Sequence, residues 1–294
     1  MEIGWGTIWE LFRYAILAAV AAGAVCPLVG CFLLVRRAAF HGVALPQFAA
    51  AGVALGFAVL PAWIDRVGLA GLDYVEALES PHALKNYLLA FAAAATFGAL
   101  LLLALLGARK TTETARLAAG FALASALTIL FGLASPVGGE FIDSLLHGEI
   151  LAIGRHELEV LLGAYLMVGT LLLVRRHDLL LVSYDPETAR VLGKRVRAGE
   201  ALLLLITGLT VSVGTLIVGP VVLFGLLVLP PLAARGFASS MRSFFLWSAG
   251  SGIVAAVGGV WTSFRFDWPL GPAVVVAAGS LLVPGFLAAK LSGE

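Results

Sequence analysis

Long apolar runs alternate with short polar breaks along the whole chain. The runs lack the in-out alternation of barrel strands, and several reach the roughly 20 residues a helix needs to cross a hydrocarbon core. A backbone inside hydrocarbon must satisfy its own hydrogen bonds, so the runs are helices. Nine are predicted: Leu11–Val35, Val43–Trp63, Tyr87–Ala108, Leu117–Ala134, Glu159–Val174, Ala201–Val218, Pro220–Ala233, Phe244–Trp261 and Pro272–Ala289. Only Gly219 and Pro220 separate the sixth from the seventh, so one of that pair is a candidate re-entrant half-helix and the count is eight or nine. The expected fold is all-α, a polytopic transmembrane helical bundle forming one membrane domain over residues 1–294.

Composition agrees. Of 294 residues 61% are hydrophobic and 13% charged, against about 25% charged in soluble domains. The net charge of +1 says little; its distribution says more. With the N-terminus outside and an odd number of spans, fourteen cations fall on the inner side: Arg36, Arg37, Arg109, Lys110, Arg116, Arg175, Arg176, Arg190, Lys194, Arg195, Arg197, Arg235, Arg242 and Lys290. Arg66, Lys85, Arg155 and Arg265 fall outside. That asymmetry predicts an N-terminus outside and a cytoplasmic C-terminus in a cell membrane. The outer loops carry Asp65, Asp73, Glu76 and Glu79, then Glu140, Asp143, Glu149 and Glu157. They read as solvated loop charge or as a docking surface at an outer mouth. Cys26 and Cys31 lie five apart in the first run, with no metal-binding spacing, and read as buried small residues. Glu2, Glu10 and the length of that run argue against a cleavable signal peptide.

The most specific local pattern is Ser183–Arg197, "SYDPETARVLGKRVR". Asp185 suits an N-cap, Pro186 the first helical position, Glu187 the positive end of the helix dipole and Gly193 a left-handed C-cap. A helix of about two turns is expected between two spans on the inner side. By itself it reads either as a connection or as a contact element.

With its neighbours this stretch resembles the permeases of the ATP-binding cassette family for zinc, manganese and iron uptake. "SYDPETARVLG" is similar to that family's cytoplasmic coupling segment, S-x-D-x-E-x-A-x-x-L-G. "GPVVLFGLLVLPPLAAR", "DSLLHGEILAI" and "FDWPLGPAVV" resemble three further segments in the same order, covering about Leu11 to Leu282. The resemblance implies a transport subunit rather than an enzyme. It implies two permease copies, a separate cytoplasmic P-loop ATPase carrying the ATP, an extracytoplasmic substrate-binding protein, and no role for nucleic acid. The chain has no G-x-x-x-x-G-K-[ST] and binds no cofactor on this reading. Asp185, Pro186, Glu187, Ala189, Arg190 and Gly193 would contact the ATPase.

The stretch "RRAAFHGVALPQFAAAGVALG", Arg36 to Gly56, departs from the family. The family typically places Asp and His four residues apart after the basic pair; here Val43 and Gln47 hold those positions. Valine ligates nothing, and Gln47 offers an uncharged amide. His41 lies six residues before Gln47, about 120° away on the helix wheel, unless Pro46 opens the segment. His41 and Gln47 are the pathway candidates, against an interfacial histidine and a hydrogen bond to a neighbouring helix. No metal ligands are assigned. Gly52 and Gly56 form a small-residue packing step. Asp143, His147 and Asp267 are outer gate candidates. The cargo expected from the resemblance is a divalent transition metal; a chelated metal or non-metal solute is the alternative. An ion-coupled secondary transporter would keep a charge in mid-membrane, where these spans are nearly free of one.

Overall fold

The computed structural model describes residues 5–67, 81–105, 110–135 and 153–291. Those residues form eleven helices and no strand. They are α1 (Trp5–Val35), α2 (Ala39–Val67), α3 (Pro81–Leu105), α4 (Lys110–Ala134), α5 (Arg155–Tyr184), α6 (Pro186–Val191), α7 (Val196–Val218), α8 (Pro220–Arg235), α9 (Met241–Phe266), α10 (Leu270–Ser280) and α11 (Leu282–Leu291). Eight segments are long and apolar enough to cross a membrane, α10 and α11 counting together as one. The chain is therefore a multi-pass membrane protein.

The seventh predicted run, α8, is shorter than the eight. Its 16 residues span about 24 Å, against about 30 Å of hydrocarbon. It does not fold back to the end where it began. Arg36, at the end of α1, lies 3.5 Å from Glu200 near the start of α7, so α7 begins beside the end of α1. Cys31 of α1, Ala234 of α8 and Phe244 of α9 cluster at that same end. So α7 leaves this arginine-rich end and α8 returns to it. Between them Gly219 adopts φ 94°, which only glycine takes without strain, and both Gly219 and Pro220 are buried. The tip of this hairpin is thus held inside the bundle.

Antiparallel pairs organise the rest. Phe12 meets Phe264 and Phe32 meets Phe245 at the two ends of the α1/α9 pair, with ring centroids 5.0 and 5.1 Å apart. Between them Gly23 faces Gly252, and a Cβ on either would overlap the other's carbonyl oxygen. The close approach has a use. Pro27 has no N–H, so the Gly23 carbonyl lacks its partner within the helix, and the Gly252 Cα–H faces it instead. The same arrangement recurs where α1 meets α8. Pro231 frees the Leu227 carbonyl, and Gly30 of α1 sits against it. Proline on one helix thus pairs with glycine on the next.

In the α2/α3 pair, Gly52 and Gly56 lie against Phe91, and the Tyr87 hydroxyl donates to the Gly56 carbonyl at 3.0 Å. α2 also packs on α1, α4, α7 and α8, and is the central helix of the bundle. α3 and α4 turn Leu101, Leu102, Leu123, Ile129 and Leu130 outward, as lipid-facing helices do. Trp261, Phe266 and Trp268 are exposed together at one end, Phe237 and Trp247 at the other, like the aromatic belts of membrane interfaces.

α5 differs most from its predicted span. It is helical from Arg155 to Tyr184 rather than Glu159 to Val174, because both ends are supported outside the apolar run. At its start the Glu157 carboxylate accepts from the Gly154 N–H at 2.8 Å and pairs with Lys85 of α3 at 2.6 Å. At its far end the polar turns rest on α6 and α7. The last predicted run is broken: α10 ends at Ser280, where Pro284 withholds the N–H its carbonyl would need, and α11 restarts at Leu282.

Candidate functional site

Two places on the molecule carry the polar groups singled out in the sequence. The first is the surface turn between α5 and α7. Asp185 caps α6, its Oδ1 accepting from the Glu187 and Thr188 N–H groups at 3.1 and 3.0 Å and its Oδ2 from the Thr188 hydroxyl at 2.5 Å. These bonds, that from the Thr188 hydroxyl first, hold the Asp185 carboxyl below its ordinary range. Pro186 opens the helix and Glu187 lies in its first turn. Gly193 closes it at φ 73°, and the Lys194 N–H reaches back to the Ala189 carbonyl at 2.9 Å.

Ala189 is fully buried, seated between Val182 of α5 and Val196 of α7. The opposite side of the turn is open. Tyr184, Val191 and Leu192 are 76%, 87% and 63% exposed, with Glu187 and Arg190 beside them. The turn is therefore rigid, anchored on one side and apolar with a charged rim on the other, as protein contact surfaces are. The pattern reading missed Tyr184, Val191 and Leu192. The available signal was large apolar side chains inside a short helix outside every apolar run.

The second place is the outward stripe of α2. Val43 and Gln47, one turn apart, are both partly exposed along the mostly buried middle of this helix, as are Phe48 and Leu55. The Gln47 amide makes no hydrogen bond among the described residues. α2 stays helical through Pro46, so His41 keeps its angle away from Gln47. His41 is 8% exposed, with Nδ1 3.2 Å from the Ala38 carbonyl oxygen at the start of the helix. The two pathway candidates do not meet. Gly42, beside Val43, lies against Val228 of α8, so α8 flanks the stripe.

Gly52 and Gly56 sit on the α3 seam already described. Asp267 ends α9 in the left-handed conformation, φ 56°, which Asp tolerates better than most residues. The Trp268 N–H bonds the Ser263 carbonyl at 3.1 Å and the Ser263 hydroxyl bonds the Trp268 carbonyl at 2.7 Å, which fixes this corner. Asp143 and His147 lie outside the described residues. Among the described residues no three His, Cys, Asp or Glu side chains gather as a metal site. The buried Thr207, Thr210 and Ser212 hydroxyls of α7 bond back to their own helix. Gln47 is thus a partly exposed polar side chain with no hydrogen bond among the described residues, and the buried Thr215 hydroxyl of α7 likewise has no partner there.

The ABC 3 transport family profile matches residues 9–289. The chain belongs to that family. Relatives run the length of it. The manganese transport system membrane protein MntC of Halalkalibacterium halodurans is 24% identical over 287 residues, 97% of this chain and 89% of that protein. The manganese import system permease protein ScaB of Streptococcus pneumoniae is 26% identical over 286 residues, covering 96% and 92%. The high-affinity zinc uptake system membrane protein ZnuB of Haemophilus influenzae is 30% identical over 139 residues, 47% of this chain and 53% of that one. Among solved structures, PsaBC from Streptococcus pneumoniae in complex with Fab has the same fold, with a TM-score of 0.75 and 22% identity over 95% of this chain and 93% of the other.

Proposed function

We propose that this ABC 3 family chain is the membrane-spanning permease of an ATP-driven importer for divalent transition metal ions of the manganese or zinc type. One observation carries the reading: a capped, rigid turn, α6, stands between two membrane helices at the arginine-rich end and presents an open apolar face. Such a turn suits capture by a soluble partner, here a separate P-loop ATPase that supplies the ATP chemistry. The excess of Lys and Arg at that end makes it the cytoplasmic side. Two copies of the chain form the pathway, and an extracytoplasmic binding protein delivers cargo to the opposite end. The full-length relatives named for manganese transport support the cargo class.

The test is association and uptake. The ATPase co-purifies with the wild-type chain, and Glu187→Arg with Gly193→Pro abolishes the association while the helical content is kept. Retention of the ATPase by that variant would refute the assignment of α6.

A second cargo reading is favoured by Val43 and Gln47. With an aliphatic and an amide on the stripe in place of charged ligands, a metal passes still carrying its oxygen ligands, or a different solute passes. Vesicles holding the complex, assayed with Mn²⁺, Zn²⁺ and their citrate chelates, separate the two.

A further inference from the structure

The surface turn is joined to a buried contact by one uninterrupted helix. α5 has 30 residues, about 45 Å, which exceeds the hydrocarbon by about 15 Å. It contains no proline. Its last turns project beyond the apolar run and are tied down from α6 and α7. Val182 packs with Ala189 and Val196 in a small core separate from the main one, and its side chain lies against Gly199. Lys194, just after the left-handed Gly193, places Nζ 2.7 Å from Asp178 Oδ1. Asp178 is two turns back along α5 from the cap Asp185, so this pair closes the turn onto the helix.

About 20 Å further along α5 stands Tyr165, fully buried. Its hydroxyl is 3.4 Å from Cys26 Sγ of α1, and a Cβ on Gly214 of α7 would come within 2.5 Å of the same oxygen. At this point α5 is wedged between α1 and α7. A displacement of α6 therefore has a stiff route to the centre of the bundle, provided α6 cannot tilt on its own.

We propose that Asp178 and Lys194 are positioning residues for coupling. They fix α6 to α5, so that a push on the turn reaches the Tyr165, Cys26 and Gly214 contact rather than being lost in rotation of a two-turn loop. This rests on α6 being the ATPase contact. Both side chains of the pair are half-exposed, so their attraction is screened, and its removal changes an equilibrium by up to about five-fold.

The test uses the full complex with its ATPase in lipid vesicles, so that it does not depend on the cargo. Spin labels at Leu166→Cys on α5 and Val254→Cys on α9, both exposed positions, report the inter-helix distance with and without vanadate-trapped ATP. The wild-type chain shifts between two distances. Lys194→Ala and Asp178→Asn each reduce the shifted population ratio two- to five-fold, with ATPase association and melting temperature unchanged. The charge swap Asp178→Lys with Lys194→Asp restores it. Single variants that shift like wild type, a swap no better than the singles, or a wild-type α5 that does not move on trapping each overturn the proposal. Failure of the wild-type chain to bind an ATPase would instead refute the reading of α6.

Discussion

Gly252→Ala is the substitution whose cost the packing defines most closely. The added methyl group would overlap the Gly23 carbonyl oxygen and lie 2.6 Å from Pro27 Cγ. Neither neighbour is a flexible side-chain end. α1 and α9 must therefore part by about 1 Å at their crossing to reach ordinary contact. Parting them also removes the Cα–H donor from the carbonyl that Pro27 leaves unpaired, worth about 0.5–1 kcal/mol. Overpacking of this kind costs about 1–3 kcal/mol, and the better helix propensity of alanine returns up to about 1 kcal/mol. A net loss of about 1–3 kcal/mol lowers the melting temperature by roughly 2–5 °C for a chain of 294 residues. Gly250, two residues away on α9, has nothing within 4 Å of an added Cβ and is the control. Cys26 and Cys31 are fully buried, so a dye that fluoresces on reacting with a thiol reports unfolding in detergent without any added label. If Gly252→Ala melts together with Gly250→Ala, the seam is not held by close backbone approach and the account of the prolines fails with it.

Other outcomes follow from the two sites. Gln47→Ala lowers metal uptake several-fold in vesicles at unchanged expression, and unaltered uptake removes Gln47 from the pathway. Asp185→Ala removes the α6 cap and weakens ATPase binding about five-fold, measured by co-purification at graded ATPase concentration. The Asp185 carboxyl is depressed in the folded chain, so the cap is intact above the ordinary carboxylate range and is lost only as pH falls through the lowered folded value; ATPase binding that titrates above that range would contradict this. Tyr87→Phe deletes the hydroxyl bonded to the Gly56 carbonyl and costs about 1 kcal/mol, read by the same thiol melt.

What could be read without coordinates depended on distance along the chain. Apolar runs and the loop after α5 are local signals. Asp185, Pro186 and Gly193 stand where their backbone preferences place them, so the shape of α6 was legible. The apolar pattern gave α5 only its membrane part. Its polar turns are helical because Val182, Ala189 and Val196 meet, and Asp178 meets Lys194, across a turn that hydropathy does not see. The pairing of Pro27 with Gly252, and of Pro231 with Gly30, was likewise out of reach. A proline announces a freed carbonyl, but which glycine faces it depends on helices more than 190 residues apart. For α2, the polar residues were readable from the sequence and their directions were not. Gln47 stood out as the deep polar group, yet only the packing of α2 shows it open while His41 is turned to its own helix start.

The central claim is that α6 faces the cytoplasm and is gripped there by a soluble ATPase. Leu192→Cys offers a thiol at an exposed position, and the buried native cysteines keep the background low. A membrane-impermeant thiol reagent should label this variant in inside-out vesicles and not in right-side-out ones, and added ATPase should protect it. Labelling from the right-side-out surface, or labelling indifferent to the ATPase, would contradict the account.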